Sequence, residues 1–184
     1  MSDPDRDDNG PAPSAWIARC APLVPAGGAV LDIAAGSGRH SRLFVARGHP
    51  VTALDRDVSR LPDLPGLDRI EADLEDGSSW PLPARTFSGV VVANYLHRPL
   101  FPVLLDSVAP GGTLIYETFA VGNERYGRPS NPDFLLQEGE LLQRLAGRMT
   151  VVAFEQGYIE EPSPAVVQRV VAVKGGPAVI PLRG

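Results

Sequence analysis

Apolar residues fall into short runs and stripes along this chain, separated by turns rich in glycine and proline. Val30-Leu31-Asp32-Ile33-Ala34-Ala35, Val51-Thr52-Ala53-Leu54 and Phe87–Ala93 are compact apolar runs bounded by turn residues, which is the pattern of buried strands. Arg69–Leu74, Thr113–Phe119, Val151–Phe154 and Val166–Val173 complete seven predicted strands. Between them the period becomes helical. Ser14 caps a helix running through Ala21, with Trp16, Ile17 and Cys20 on one face, Trp16 serving as core or as a lid over a ligand. Arg39–Arg47 turns Leu43, Phe44 and Ala46 inward and stops at Gly48 and His49-Pro50. Pro99–Val108 carries a stripe of Leu100, Val103, Leu104 and Val108, and Phe134–Arg144 forms a last helix before Gly147. Pro62, Pro65 and Gly66 reduce the segment after the second strand to a short turn or helix. Strands alternate with helices through the fifth strand, and the last two strands pair directly across Glu160–Pro164. That order predicts an α/β fold: a doubly wound, seven-stranded, mostly parallel sheet with one antiparallel edge strand and helices on both faces.

The chemistry gathers where this pattern is interrupted. Gly36-Ser37-Gly38 separates the first strand from its helix, so backbone N–H groups and a helix N-terminus meet at the carboxyl end of the sheet. A side chain at either glycine would strain the turn or block close approach of a ligand. A dinucleotide fingerprint wants a further glycine or alanine where Ser41 stands. Asp32, inside the first strand, needs donors to offset its burial. Either a ligand supplies them or the carboxylate ties down the glycine turn. Asp55 closes the second strand about 20 residues past the glycines, where an acid accepts from both ribose hydroxyls; the same residue, or Asp57, can cap the turn that follows. Asp73 closes the third predicted strand as part of a site or of a solvated acidic loop with Glu75 and Asp76. After the fourth strand come Asn94-Tyr95-Leu96-His97-Arg98-Pro99. The loop 120–133 is rich in glycine, proline and asparagine, holds Glu124, Arg125, Tyr126 and Arg128, and lies over the same sheet edge.

Bulk properties narrow the classes. At 184 residues the chain is one domain, expected at 14–174 between a disordered, acidic, proline-rich tail (1–13) and a flexible tail (175–184). The net charge of −5 argues against a long nucleic-acid footprint. No apolar run spans a bilayer, and Met1–Pro13 has the reverse of a signal-peptide layout. A single cysteine, Cys20, excludes an internal disulfide and a thiolate metal cluster, and cytoplasmic localisation is the expectation. Lys174 is the only lysine, so Tyr-Lys dehydrogenase, Schiff-base and P-loop chemistry have no lysine to use.

Asp32-Ile33-Ala34-Ala35-Gly36-Ser37-Gly38 resembles motif I of the class I S-adenosylmethionine-dependent methyltransferases, Asp-x-Gly-x-Gly-x-Gly, with Ala34 in the first glycine slot. The phrase APGGTLIYE, Ala109 to Glu117, resembles the family's motif at its fifth strand. GSGRHS, from Gly36 to Ser41, and FLLQEGELLQRL, from Phe134 to Leu145, resemble the small bacterial members related to tellurite-resistance methyltransferases. The resemblance implies a Rossmann-like fold and S-adenosylmethionine as cofactor. It puts Asp32, Ala34, Gly36, Ser37, Gly38, Asp55, Arg56, Asp73, Leu74 and Asn94 around that cofactor, with Asp73 and the backbone of Leu74 on the adenine. Amide- and nucleobase-directed members carry Asn/Asp-Pro-Pro-Tyr after the fourth strand; Asn94-Tyr95-Leu96-His97 lacks the prolines, which points away from a nucleobase acceptor. The implied function is methyl transfer to a small molecule, without a metal, the main requirement being alignment of nucleophile, methyl and sulfur.

Catalytic candidates are His97, Tyr95 and Arg128, with Arg98, Tyr116, Glu117 and Tyr126 as substrate contacts. His97 is either a general base or an ordinary loop histidine. Arg98, Arg125 and Arg128 either grip a carboxylate or oxyanion or pair with Glu117 and Glu124. Two rival functions stand beside this one: a non-catalytic binder of adenosylmethionine or adenosylhomocysteine, and a nicotinamide-dependent oxidoreductase.

Overall fold

The computed structural model describes residues 10–175. Of the two expected tails, residues 1–9 and 176–184 lie outside the described residues. The strands are β1 (Val30–Ile33), β2 (Val51–Asp55), β3 (Leu67–Glu71), β4 (Phe87–Ala93), β5 (Val108–Phe119), β6 (Thr150–Ile159) and β7 (Ala165–Val173). The α-helices are α1 (Ala15–Cys20), α2 (Arg39–Ala46), α3 (Phe101–Ser107) and α4 (Glu140–Leu145).

One sheet holds all seven strands in the order β3-β2-β1-β4-β5-β7-β6. The first five pair in parallel, and β7 runs antiparallel to both of its neighbours. The expected mostly parallel, doubly wound sheet is therefore present. Its reversed strand, β7, stands one place in from the edge, with β6 outermost.

Strand side chains alternate between the faces, and each face has its own helices. Leu31, Ile33, Val90, Val92, Leu114 and Tyr116 pack with Phe101, Leu104 and Leu105 of α3 and Leu141 and Leu145 of α4. Val30, Val91, Ile115 and Val171 face the other way, onto Trp16, Ile17 and Cys20 of α1 and Phe44 of α2. Trp16 is thus a core residue, 2% exposed. Among the described residues, β2–β3 is bridged by one 3-10 turn, Val58–Arg60, and β3–β4 has no helix at all. Asp68, Arg69 and Glu71 are accordingly exposed on β3. No helix among the described residues is long and apolar enough to cross a membrane.

Several predicted elements shift: β5 begins at Val108 rather than Thr113, and β6 spans Thr150–Ile159 rather than Val151–Phe154. β3 ends at Glu71, so Asp73 lies two residues beyond the strand in a loop. The predicted helix Phe134–Arg144 is confined to Glu140–Leu145 because Gly139 takes a left-handed backbone (φ 64°). Leu135 and Leu136, inside the predicted helix, are instead extended. Leu136 donates its N–H to the Phe119 carbonyl (3.0 Å) and accepts from Val121 N–H (3.0 Å), adding a short rung beyond the end of β5.

Candidate functional site

The site is built at the carboxyl ends of β1, β2 and β4, where successive crossovers leave in opposite directions and open a crevice. Three alternate residues of the turn after β1 are left-handed: Ala34 (φ 52°), Gly36 (φ 59°) and Gly38 (φ 72°). Only Ala34 carries a Cβ there, at a strain on the order of 1 kcal/mol. Gly38 is fixed by its surroundings as well, since a Cβ would stand 2.8 Å from Pro62 Cδ. Beneath the turn, Asp32 is 1% exposed and accepts a 2.6 Å hydrogen bond from Ser41 Oγ on α2. Burial pushes its carboxyl up to about 6, against the opposing pull of the Ser41 bond. Asp32 does not line the cleft described next. Of its two roles, tying the turn to α2 is the one the geometry displays.

In front of the turn opens a cleft of about 590 Å³, lined by Ala34, Gly36, Leu54, Asp55, Arg56, Asp57, Arg60, Ala72, Asp73, Leu74, Glu75 and Tyr95. Six predicted cofactor residues (Ala34, Gly36, Asp55, Arg56, Asp73 and Leu74) are therefore brought together from three separate segments. Asp55 is the hub. One carboxylate oxygen accepts from Gly36 N–H at 2.7 Å, the other from Asp57 N–H at 3.0 Å. A carboxylate has about four acceptor positions, so a ligand's paired hydroxyls still find one on each oxygen. The capping and ligand-binding roles of Asp55 thus coexist. Asp73, although past the strand, reaches the cleft because it opens a turn, its Oδ1 accepting from Glu75 N–H at 2.9 Å. Apolar Leu54, Ala72 and Leu74 with Tyr95 make the floor, and burial beside Glu75 raises the Tyr95 hydroxyl pKa well above its ordinary value.

Asn94 is also left-handed (φ 54°), and its N–H reaches across to the Glu117 carbonyl at 2.9 Å. It is exposed and lines two further clefts rather than the first. One, of about 200 Å³, shares Glu75 and Tyr95 with the first cleft. The other, of about 500 Å³, shares Asn94 and Phe119 with that small one. The three form a trough across the carboxyl ends of β2, β1, β4 and β5. The far cleft is roofed by Pro11–Ala15, residues expected in part to be a loose tail. Ser14 latches that roof, its N–H donating to His40 Nε2 at 3.2 Å. Burial, helped by the charge of Arg39, pulls His40 down to about 3, so it remains a neutral acceptor.

Several predicted site residues are used elsewhere. His97 lines another cleft of about 680 Å³ behind the 72–81 loop, which borders the first through Ala72, Asp73, Leu74 and Glu75, with Nδ1 4.0 Å from Glu75 Oε2. Arg98 is engaged within the fold: its guanidinium donates to Glu140 (3.0 and 2.9 Å) and to the carbonyls of Asp133 (2.6 Å) and Leu135 (2.8 Å). Tyr116 is 1% exposed, stacks on Phe101 and donates to the Tyr95 carbonyl at 2.8 Å, which makes it a core residue. Tyr126 is exposed against Tyr158, and Arg128 is exposed; neither lines a cleft of the trough. Glu117 does line the far cleft, held by Arg169 at 2.6 Å rather than by the arginines of the loop. Ser37 is half-buried in the glycine turn. Arg39, Arg169, Glu75 and the Pro11–Ser14 roof are site residues that sequence reasoning passed over. Only Arg39, directly after the glycine turn, had a local signal.

No family model and no curated protein sequence matches the chain. Solved structures do. TehB from Haemophilus influenzae superimposes with a TM-score of 0.66 at 15% identity, over 85% of this chain and 61% of that one. The chain thus spans less than two thirds of the TehB chain. An S-adenosylmethionine-dependent methyltransferase from Mesorhizobium loti gives a TM-score of 0.65 at 20% identity, over 86% and 97% of the two chains. The glycopeptide N-methyltransferase MtfA, complexed with S-adenosylhomocysteine, gives 0.61 at 20% identity over 89% and 90%. This chain has the fold of the S-adenosylmethionine-dependent methyltransferases.

Proposed function

We propose that this protein is an S-adenosylmethionine-dependent methyltransferase acting on a small molecule. The observation that carries the reading is Asp55, whose carboxylate is braced by Gly36 N–H at the mouth of a cleft of about 590 Å³ and keeps free lone pairs for a ribose diol. Leu54, Ala72, Leu74 and Tyr95 suit a flat heterocycle, with Asp73 at its polar edge. The cleft is of ordinary ligand-binding size. When bound, adenosylmethionine supplies a sulfonium-activated methyl group. The chain's own residues bind its nucleoside end, hold the turn in shape and enclose the acceptor.

Structures of the same fold are described as a glycopeptide N-methyltransferase and as a 1,6-didemethyltoxoflavin N1-methyltransferase, so acceptors differ widely on this scaffold. A small acceptor is favoured here by the net charge of −5 and by the modest far cleft of about 500 Å³. The free, buried Cys20 fits a reducing compartment such as the cytoplasm. An antiparallel β7 between β5 and β6 weighs against a nicotinamide oxidoreductase, whose doubly wound sheet keeps the order 3-2-1-4-5-6. His97 lines neither the far cleft nor the small one that joins it to the nucleoside cleft, so a non-catalytic binder is the second reading.

The test is calorimetric titration with adenosylhomocysteine, with NAD in parallel, followed by a methyl-transfer screen over small acceptors. Adenosylhomocysteine binds and NAD does not. Asp55→Ala weakens binding by about tenfold or more, the value of one charge-assisted hydrogen bond. Folded wild-type protein that ignores adenosylhomocysteine overturns the reading, and binding with no transfer to any acceptor favours the binder.

A further inference from the structure

We infer that the far cleft is the acceptor site and that it selects a small monoanion with an apolar body, such as an aryl or short-chain carboxylate. This rests on the methyltransferase reading of the first cleft. The far cleft joins the nucleoside cleft through the small one that borders Tyr95 and Asn94, so a molecule held there faces the middle of the trough. Its walls are apolar: Pro13 above, Phe119, Ile159, Pro162 and Val167 at the sides. Four charged residues line it, Arg39, Glu117, Glu161 and Arg169. Glu117 and Arg169 cancel one another at 2.6 Å, with Arg169 also 3.4 Å from Glu155. Glu161 is exposed in the β6–β7 hairpin. Arg39 is half-buried, and among the described residues no carboxylate lies within ion-pair distance of it.

Among the described residues, the interior of the cleft therefore holds one cation, Arg39, with no carboxylate in ion-pair distance, although its charge is felt by Asp32 beneath the turn. An apolar ligand without charge would strip water from that guanidinium and return nothing, whereas a carboxylate forms the forked, charge-assisted pair that arginine favours. An amine would meet Arg39 as a like charge.

The experiment titrates the protein, saturated with adenosylhomocysteine, with benzoate, benzamide and benzylamine. Benzoate binds, benzamide binds at least about tenfold more weakly, as expected for loss of one charged hydrogen bond, and benzylamine does not bind. Arg39→Gln abolishes the benzoate preference while its affinity for adenosylhomocysteine stays within about twofold of wild type, and Arg39→Lys retains part of the preference. Equal binding of benzoate and benzamide to wild type overturns the inference. So does an Arg39→Gln protein that loses adenosylhomocysteine, because Arg39 then serves the cofactor. If wild type takes no adenosylhomocysteine, the methyltransferase reading falls, and the same comparison on ligand-free protein decides the cleft by itself.

Discussion

Replacing Glu140 with glutamine tests how this fold holds the long connection between β5 and β6. Glu140 opens α4, is 7% exposed at its side chain, and accepts from three directions. Arg98 forks onto both oxygens at 3.0 and 2.9 Å, Arg144 donates at 2.9 Å, and Gln137 N–H donates at 3.0 Å. Burial alone would raise this carboxyl, but those donors outweigh it and hold it at about 2. A glutamate held that far below its ordinary 4.5 contributes on the order of 3 kcal/mol at neutral pH. Because the folded value is depressed, the contribution is complete above pH 4.5 and is lost as pH falls toward 2. Glu140→Gln keeps the shape and removes the charge that two guanidinium groups face. For a domain of this size, that loss lowers the melting temperature by roughly 6–12 °C at pH 7. Calorimetric melts of both proteins from pH 7 down to pH 3 give the measurement. A variant melting within about 2 °C of wild type at pH 7, or a gap that fails to narrow below pH 4.5, refutes the reasoning.

Asp32 has the opposite sign. Its folded value is raised from 3.8 to about 6, so stability falls as pH rises through that interval, and Asp32→Asn melts above wild type at pH 7.5 with a gap that closes by pH 4. A gap independent of pH rejects the assignment. Ala34→Gly relieves a left-handed alanine and raises stability by roughly 0.5–1 kcal/mol in urea unfolding. It leaves adenosylhomocysteine affinity within about twofold if the turn's shape, and not the methyl group, serves the ligand.

What the sequence disclosed was local. β4 falls on the predicted residues, β2 gains only Asp55, and α2 ends one residue early. Apolar runs and the Gly48 stop are properties of neighbouring residues, so they can be read without a partner. The nucleoside cleft was legible for the same reason, since doubly wound topology brings the strand ends carrying Gly36, Asp55 and Asp73 to one edge. The far cleft was not. Glu117 meets Arg169 only because β5 and β7 pair antiparallel with those two residues opposite. Arg98 and Glu140 are 42 residues apart and meet through tertiary packing. An arginine beside a supposed active-site loop reads as a ligand clamp until its acid is found. Leu135 and Leu136 likewise fall within a predicted helix until the Phe119 carbonyl claims the Leu136 N–H.

The place of β7 has a consequence for synthesis. A ribosome delivers strands in chain order, yet β7, the strand that joins β6 to the rest of the sheet, emerges after it. Throughout translation of residues 120–164, the outer side of β5 from Thr113 to Phe119 has no lasting partner, because β6 belongs one position farther out. An unpaired edge of that length invites pairing with other chains. The exposed interval closes only when β7, the second arm of the β6–β7 hairpin, docks on β5.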